Sequence, residues 1–520
     1  MPAQVEKWDF FEIELQGPVS GNPFLDVSLE ADFSLKTRQV HVTGFYDGGG
    51  IYKIRFMPDQ EGTWSYVTHS SSPALDGQKG ELVCVVPTGT NHGPVRVVDT
   101  THFGYEDGTP YIPVGTTCYV WNLQGDELEE RTLKTLDKAP FNKMRMCVFP
   151  KRYAFNNNEP PSYPFPGKVT RQWQPSLMQE YRNQEPPKFW DFDQFNPEYF
   201  RRLDQRILDL RARGIESDLI LFHPYDFGAW GFDRMPPEVN DRLLKYLVAR
   251  LSAFRNLWWS FANEYDLFVG RKMEDWDHYF QLVQKQDPYN HLRSIHNCFA
   301  FYDHTKPWVT HCSIQHANLE QVGGWLKKYN KPVVVDECGY EGDIYMMWGD
   351  LSPEEMLLRF WVGFTNGGYV GHGETYMNDQ DLLWWAKGGS LIGESVKRIA
   401  FLREIFEHTP RLSPIMRIDP STVTSLEEAF SRRQEAAKVI MEGAWNMVAG
   451  GHHQQDFFLF YYGMHQPSLR NFNLPEGSFQ VDVIDTWSMT IETWAERATG
   501  KISVALPGRK FMAIRIQKNA

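Results

Sequence analysis

The sequence has no basic run, no amphipathic basic stretch and no apolar run long enough to cross a bilayer. Its charge balance is acidic, 53 Lys and Arg against 66 Asp and Glu for a net −13, which excludes the positive footprint of a nucleic-acid binder. The stretch from Met1 to Gln16 lacks a cationic segment followed by an apolar one. No secretory leader is therefore expected, and a cytoplasmic location is the expectation. Cysteine is scarce: Cys84, Cys118, Cys147, Cys298, Cys312 and Cys338 lie far apart, and no pair has zinc-ligand or redox spacing. Buried free thiols in a reducing compartment are expected. No internal repeat or low-complexity tract interrupts the chain, so the linkers are short.

At 520 residues the chain is too long for one ordinary domain, and 42% hydrophobic residues with 23% charged describe a globular protein with a sizeable core. Aromatic residues make up 15%, including 18 Trp. That exceeds what packing asks for, and flat rings stack on the apolar faces of sugars.

Three patterns follow one another. Residues 1–97 alternate apolar and polar in short runs, among them Val40 to Tyr46, Ile51 to Phe56 and Gly62 to Val67, broken by turns such as Asp47-Gly48-Gly49-Gly50. Strands at that spacing without helices predict an N-terminal β-sandwich. Residues 98–410 alternate strands with amphipathic helices. Tyr111 to Thr116, Lys143 to Pro150, Asp218 to His223, Trp258 to Glu264, Ser294 to Asn297, Ser313 to His316, Val333 to Gly339 and Gly368 to Glu374 are eight successive strands. Helices are predicted over Tyr199 to Arg213 and Pro237 to Arg250. Eight such units predict a (β/α)8 TIM barrel, with an insertion from Arg152 to Trp190 to wall its mouth. Residues 411–520 return to short strands, including Lys438 to Met441, Phe457 to Tyr462, Phe479 to Ile484 and Phe511 to Ile516, and predict a C-terminal β-sandwich.

Two runs carry the chemistry. Trp258-Trp259-Ser260-Phe261-Ala262-Asn263-Glu264 and Val333-Val334-Val335-Asp336-Glu337 are buried-strand patterns that each reach a glutamate. In a β/α barrel the C-terminal strand ends open onto the active-site face. Two carboxylates delivered there are the equipment for cleaving a glycosidic bond, one group protonated to serve the leaving oxygen and one ionised to attack the anomeric carbon. Glu264 fits acid/base, since the apolar Trp258, Trp259 and Phe261 before it would favour its protonated form. Glu337 fits the nucleophile. Asn263 is placed to bond a sugar hydroxyl. Polar residues at other strand ends, His223, Tyr225, His296 and Glu374, are candidate pocket residues, and each equally suits a helix cap or a buried backbone partner. Trp121 is a candidate stacking platform.

Asn263-Glu264 at the end of strand four and Glu337 at the end of strand seven resemble the retaining glycoside hydrolases of clan A. The whole layout of sandwich, barrel and sandwich is similar to bacterial glycoside hydrolases with an apiosidase-like barrel and flanking domains of unknown function. The resemblance implies double displacement through a covalent glycosyl-enzyme. The chain departs from the wider clan at two strand ends. Strand eight ends in Gly371-His372-Gly373-Glu374 where an aromatic platform is common, and strand six in Gln315-His316 where a Tyr often holds the nucleophile. Tyr340 or His316 is left to do that work. The expected partner is an oligosaccharide or glycoside cut at its terminal sugar, with no nucleic acid or membrane; a homo-oligomer is left open. No metal and no cofactor are expected. Two alternatives stand beside this reading. One is a barrel that binds carbohydrate without turnover. The other is a metal-dependent hydrolase using His223, His296, His316 and His372, against which strand one offers only Gly115-Thr116-Thr117-Cys118.

Overall fold

A computed structural model describes residues 2–170, 185–377, 383–415, 425, 427 and 448–519. In the N-terminal region the alternation seen in the sequence becomes two faces: along Arg38–Thr43 only Val40 and Val42 are buried. Five strands form one sheet, in the order Ala3–Glu6, Lys79–Val85, Gly62–Ser70, Leu29–Leu35 and Arg38–Thr43. Phe11–Gln16, Ile51–Phe56 and Phe45–Tyr46 form a second. Phe33 of the first sheet stacks on Phe56 of the second at 4.0 Å, and the core between them closes a β-sandwich. The turn into Ile51–Phe56 needs its glycines: Gly48, Gly49 and Gly50 have φ of +86°, +59° and +82°.

The chain divides into two compact units. One comprises Met1–Tyr111, Gly115–Gln315 and Asn378–Ser390; the other comprises Ile112–Val114, His316–Met377 and Leu391–Ala520. The first contains barrel strands one to six: Gly115–Thr117, Lys143–Cys147, Glu216–Phe222, Leu257–Ala262, Arg293–Ser294 and Cys312–Gln315. Strands one to five pair in parallel, each with the next, and a parallel bridge from His296 to Ser313 joins the fifth to the sixth. The second unit contains strands seven and eight, Val333–Glu337 and Tyr369–His372, also parallel neighbours. The fold is a TIM barrel flanked by β-domains.

Helix Pro197–Arg211 shows why the intervening segments are helical. Asn196 accepts the Glu198 N–H at its start, Pro197 occupies the first turn, and Tyr199, Phe200, Leu203, Ile207 and Leu210 bury one face at helical spacing. Pro237–Leu251 likewise opens on a proline and buries an apolar face, including Val239, Leu243, Leu244 and Leu247, but without a side-chain cap.

The predicted first strand, Tyr111 to Thr116, proves to be two elements. Pro110–Tyr111 pairs antiparallel with His102–Tyr105, and only Gly115–Thr117 joins the barrel. Pro113 between them has no N–H to give to a ladder. The first part of the Arg152 to Trp190 insertion, to residue 170, and its end from 185 are described, and residues 171–184 lie outside the described residues. Gly167 and Trp190 form a bridge, and the Trp190 indole stacks on Phe232 at 5.1 Å and donates to the Trp230 carbonyl at 2.8 Å. Both described ends of the insertion therefore lie on the loop after strand three.

In the C-terminal region the strands Ser413–Pro414, Val448–Gly451, Phe457–Tyr461, Met512–Lys518, Phe479–Asp485 and Thr490–Ala498 form one sheet in that order, and Leu469–Asn473 pairs with Lys501–Ala505 in another. Phe460 and Phe472, one from each, meet at 4.9 Å inside a shared core. The strand predicted at Lys438 to Met441 lies outside the described residues.

Barrel strands two to four carry buried polar groups. Glu216 accepts the Trp258 indole N–H at 3.0 Å, and the Lys143 ammonium meets the Asp218 carboxylate at 2.5 Å, both fully buried. Burial pushes the Glu216 carboxyl up to about 8. A carboxyl whose folded pKa is raised keeps its proton in the native state after the unfolded chain has lost its own. Stability is then lost as pH rises from about 4.5 toward about 8. Glu216→Gln keeps an acceptor for Trp258 and has no charge to bury. Thermal unfolding of the wild type is expected to shift several degrees downward between about pH 5.5 and pH 8.5. The variant should lose most of that shift, and an unchanged shift would remove Glu216 as its cause.

Candidate active site

At the end of strand four the chain turns at once. Asn263 N–H bonds the Phe222 carbonyl of strand three at 3.0 Å, and Glu264 adopts a left-handed backbone, φ +47° and ψ +56°, ahead of the short helix Tyr265–Leu267. For a residue with a Cβ that conformation costs about 1–2 kcal/mol. Tyr265 N–H bonds the His296 carbonyl at 2.9 Å, and His296 N–H the Ala262 carbonyl at 3.1 Å, so the loops after strands four and five are stitched together.

Glu264 is buried, and Asn263 holds it there. The Asn263 amide donates from Nδ2 to Glu264 Oε2 at 3.3 Å, while its Oδ1 accepts from Arg145 Nη2 at 3.0 Å and from the Tyr119 hydroxyl at 3.4 Å. Arg145 only donates, which fixes the amide's orientation. The sequence assigned Asn263 to a sugar hydroxyl; the structure engages both ends of its amide in positioning Glu264. Arg145 and Lys143 were not among the sequence candidates. Their alternation along Lys143-Met144-Arg145-Met146-Cys147 is the signal that would have found them, since a period of two in a barrel strand sends every second residue inward.

The aromatic residues before Glu264 do not surround it. Trp258 lies against Phe103 at 5.1 Å and bonds Glu216; Trp259 bonds Asp287; Phe261 stacks on Phe280 at 3.9 Å. Neighbours along an extended strand point to opposite faces and recede by more than 3 Å per residue. They pack the barrel rather than desolvate the glutamate.

His223 is committed elsewhere. Burial and the Lys151 ammonium push its pKa down to about 3, so the ring is neutral. Nδ1 accepts the Tyr225 backbone N–H at 3.2 Å, leaving Nε2 to donate to the Phe149 carbonyl at 3.2 Å. It shapes the loop instead of offering a ring nitrogen to a ligand. Tyr225 is half-buried, with its ring 4.1 Å from Lys151 Nζ. Lys151 itself, unnoticed in the sequence, is buried among aromatic faces, with Tyr119 at 3.5 Å, Tyr153 at 4.5 Å and Trp385 at 5.6 Å. His296 is fully buried between strands four and six, and Trp121, also fully buried in the turn Trp121–Leu123, has no exposed face on which a sugar could stack.

In the second unit Glu337 closes strand seven, 3% exposed, and its carbonyl accepts the His316 N–H at 3.0 Å. His316 is half-buried; its Nδ1 accepts the Asn318 N–H at 3.0 Å. After Glu337 the chain turns at Gly339, φ +88°, with Arg359 on the Cys338 carbonyl. Tyr340 follows, buried, with its ring so close over Gly373 that a Cβ there would lie 2.0 Å away. Glu374, expected in the pocket, spends both oxygens on backbone: Oε1 accepts from Ile392 and Oε2 from Gly393, each at 2.8 Å. Its neighbour Glu341 takes the Glu394 and Ser395 N–H groups at 2.7 and 3.1 Å. Together they fasten the start of helix Ser395–Glu407, and burial lifts Glu374 to about 7. Among the described residues no group of three His, Cys, Asp or Glu is placed to hold a metal ion. No described helix is long and apolar enough to cross a membrane.

A model of the apiosidase-like catalytic domain matches residues 99–410. Two domains of unknown function match residues 4–71 and 445–517. A Bacteroides vulgatus protein, whose crystal structure is described as that of a "putative glycoside hydrolase", is 38% identical at a TM-score of 0.86; the match covers 99% of this chain and 100% of that one. A family 5 glycoside hydrolase from the same organism matches at 13% identity and a TM-score of 0.57, over 82% of this chain and 94% of that one. At that identity the likeness is one of fold. No curated protein matches the chain.

Proposed function

We propose, for a chain that belongs to the apiosidase-like catalytic family and is a glycoside hydrolase, a retaining double displacement at the terminal sugar of an oligosaccharide. Glu264 is the acid/base and Glu337 the nucleophile. The observation that carries this reading is the matching position of two buried glutamates, at the ends of barrel strands four and seven. Strand ends of that hand open onto the catalytic face of a β/α barrel.

In the first step the Glu337 carboxylate attacks the anomeric carbon as the glycosidic bond breaks, and the Glu264 carboxyl gives its proton to the leaving oxygen. In the second, water surrenders a proton to Glu264 and displaces Glu337 from the glycosyl ester. Arg145, through Asn263, fixes where the acid/base points. His316, whose N–H bonds the Glu337 carbonyl, and Tyr340, three residues beyond Glu337, lie on the nucleophile's own unit and are the candidates to orient it. The retaining route asks for carboxyl groups about 5–5.5 Å apart.

Action at chain ends rests on the insertion after strand two, whose described ends lie on the loop after strand three and whose bulk suits a closed pocket. The arrangement is read as a catalytic barrel of residues 98–410 between sandwiches of residues 1–97 and 411–520. A cytoplasmic setting accords with six free cysteines.

Proton NMR of the first sugar released tests the reading. Retention of the substrate's anomeric configuration is expected, and an inverted first product would refute double displacement.

A further inference from the structure

Two residues beyond Glu264, the Asp266 carboxylate accepts three consecutive backbone N–H groups from the loop after strand five. Cys298 donates to Oδ1 and Phe299 and Ala300 to Oδ2, each at 2.7 Å. Asn297, just before them, ties the same loop to strand six: its Nδ2 donates to the Gln315 carbonyl and its Oδ1 accepts the Gln315 N–H, both at 3.3 Å. The loop backbone is thus held from both neighbouring strands. Yet the Phe299 side chain it carries is 84% exposed. A single exposed apolar side chain is ordinary on a protein surface. This one has its backbone clamped by three charge-assisted bonds from a residue two positions beyond the acid/base, so it is held in a fixed place.

We infer that Phe299 is the stacking platform for the leaving group, and that the group it receives is a sugar ring. The inference rests on Glu264 being the acid/base. That residue serves the leaving oxygen, so the loop clamped beside it borders the leaving-group side of the scissile bond. A ring already fixed by its backbone loses little freedom when a partner covers it, so the contact yields most of its value as binding. The recognised chemistry is an apolar ring face, which a sugar and an aryl aglycone both have.

The test compares three substrates sharing the preferred glycon: its glycosyl fluoride, its methyl glycoside and the disaccharide in which it is linked to a second sugar. Phe299→Ala should lower kcat/KM on the disaccharide about tenfold, the scale of one aromatic contact. Fluoride and methyl glycoside, which offer no ring, should change less than twofold, and Phe299→Trp should restore the disaccharide. An aryl glycoside of the same glycon separates the two ring sources. Loss on the aryl substrate with none on the disaccharide would overturn the sugar assignment. Equal loss on all substrates, or none on any, would overturn the platform. Glu264→Ala run in parallel keeps the two readings apart. If only the acid/base assignment is wrong, that variant treats fluoride and disaccharide alike, while Phe299→Ala still separates them.

Discussion

Glu337→Gln is expected to reduce turnover by about 10⁴-fold or more, with the fold intact. The amide is a near-isostere of the carboxylate, and the Glu337 backbone bond to His316 does not involve the side chain. What is lost is the ability to form a glycosyl ester. Without a nucleophile the barrel still binds and orients the glycoside, which is why residual catalysis over water survives such substitutions in other systems. Two measurements check the role. Intact mass after treatment with a 2-deoxy-2-fluoro glycoside should show one added glycosyl group in the wild type, mapped to the peptide carrying Glu337, and none in the variant. A variant that keeps more than about a tenth of the wild-type rate would show that Glu337 is not the nucleophile.

Glu264→Ala should give the second-largest effect, and its size should depend on the substrate. With a poor leaving group such as a sugar alkoxide, loss of the proton donor should cost about 10²–10⁴-fold. With a glycosyl fluoride or a dinitrophenyl glycoside, whose leaving groups need little protonation, formation of the glycosyl-enzyme should be nearly unimpaired. The second step then becomes slow, because no base activates water. Azide needs no such help and should restore turnover, with a glycosyl azide of retained configuration as product. A uniform loss across leaving groups, with no azide effect, would remove Glu264 from the acid/base role.

The barrel and its two flanking sandwiches were legible because they follow from hydrophobic period. Strands that bury both faces, such as Val333–Glu337, read as continuous apolar runs, and sandwich strands such as Arg38–Thr43 read as alternation. The split at Pro113 was missed because the apolar composition of Tyr111 to Val114 outweighed the missing N–H. Glu264 and Glu337 stand out as candidates because each ends such a run. The buried partners on neighbouring strands could not be found, because such contacts are a matter of pairing across strands. Arg145 is 118 residues from Asn263, and Lys143 is 75 from Asp218. His223 and Glu374 looked like pocket residues for the same reason: a polar group at a strand end has the same sequence signature whether it faces a ligand or the backbone of the next loop. Only the positions of the Tyr225, Ile392 and Gly393 N–H groups distinguish the two.

The left-handed backbone at Glu264 has a thermodynamic counterpart. Glycine is the residue that populates that region without steric penalty, so Glu264→Gly should melt at a higher temperature than Glu264→Ala, by roughly the 1 kcal/mol that a Cβ costs there. If the glycine variant also melts above the wild type, the proposed acid/base is a position where the protein gives up folding stability to hold a carboxyl group at a fixed angle. Directed selection for thermostability alone, with no screen for turnover, would then be expected to drift toward glycine at this residue and to yield robust, inactive barrels.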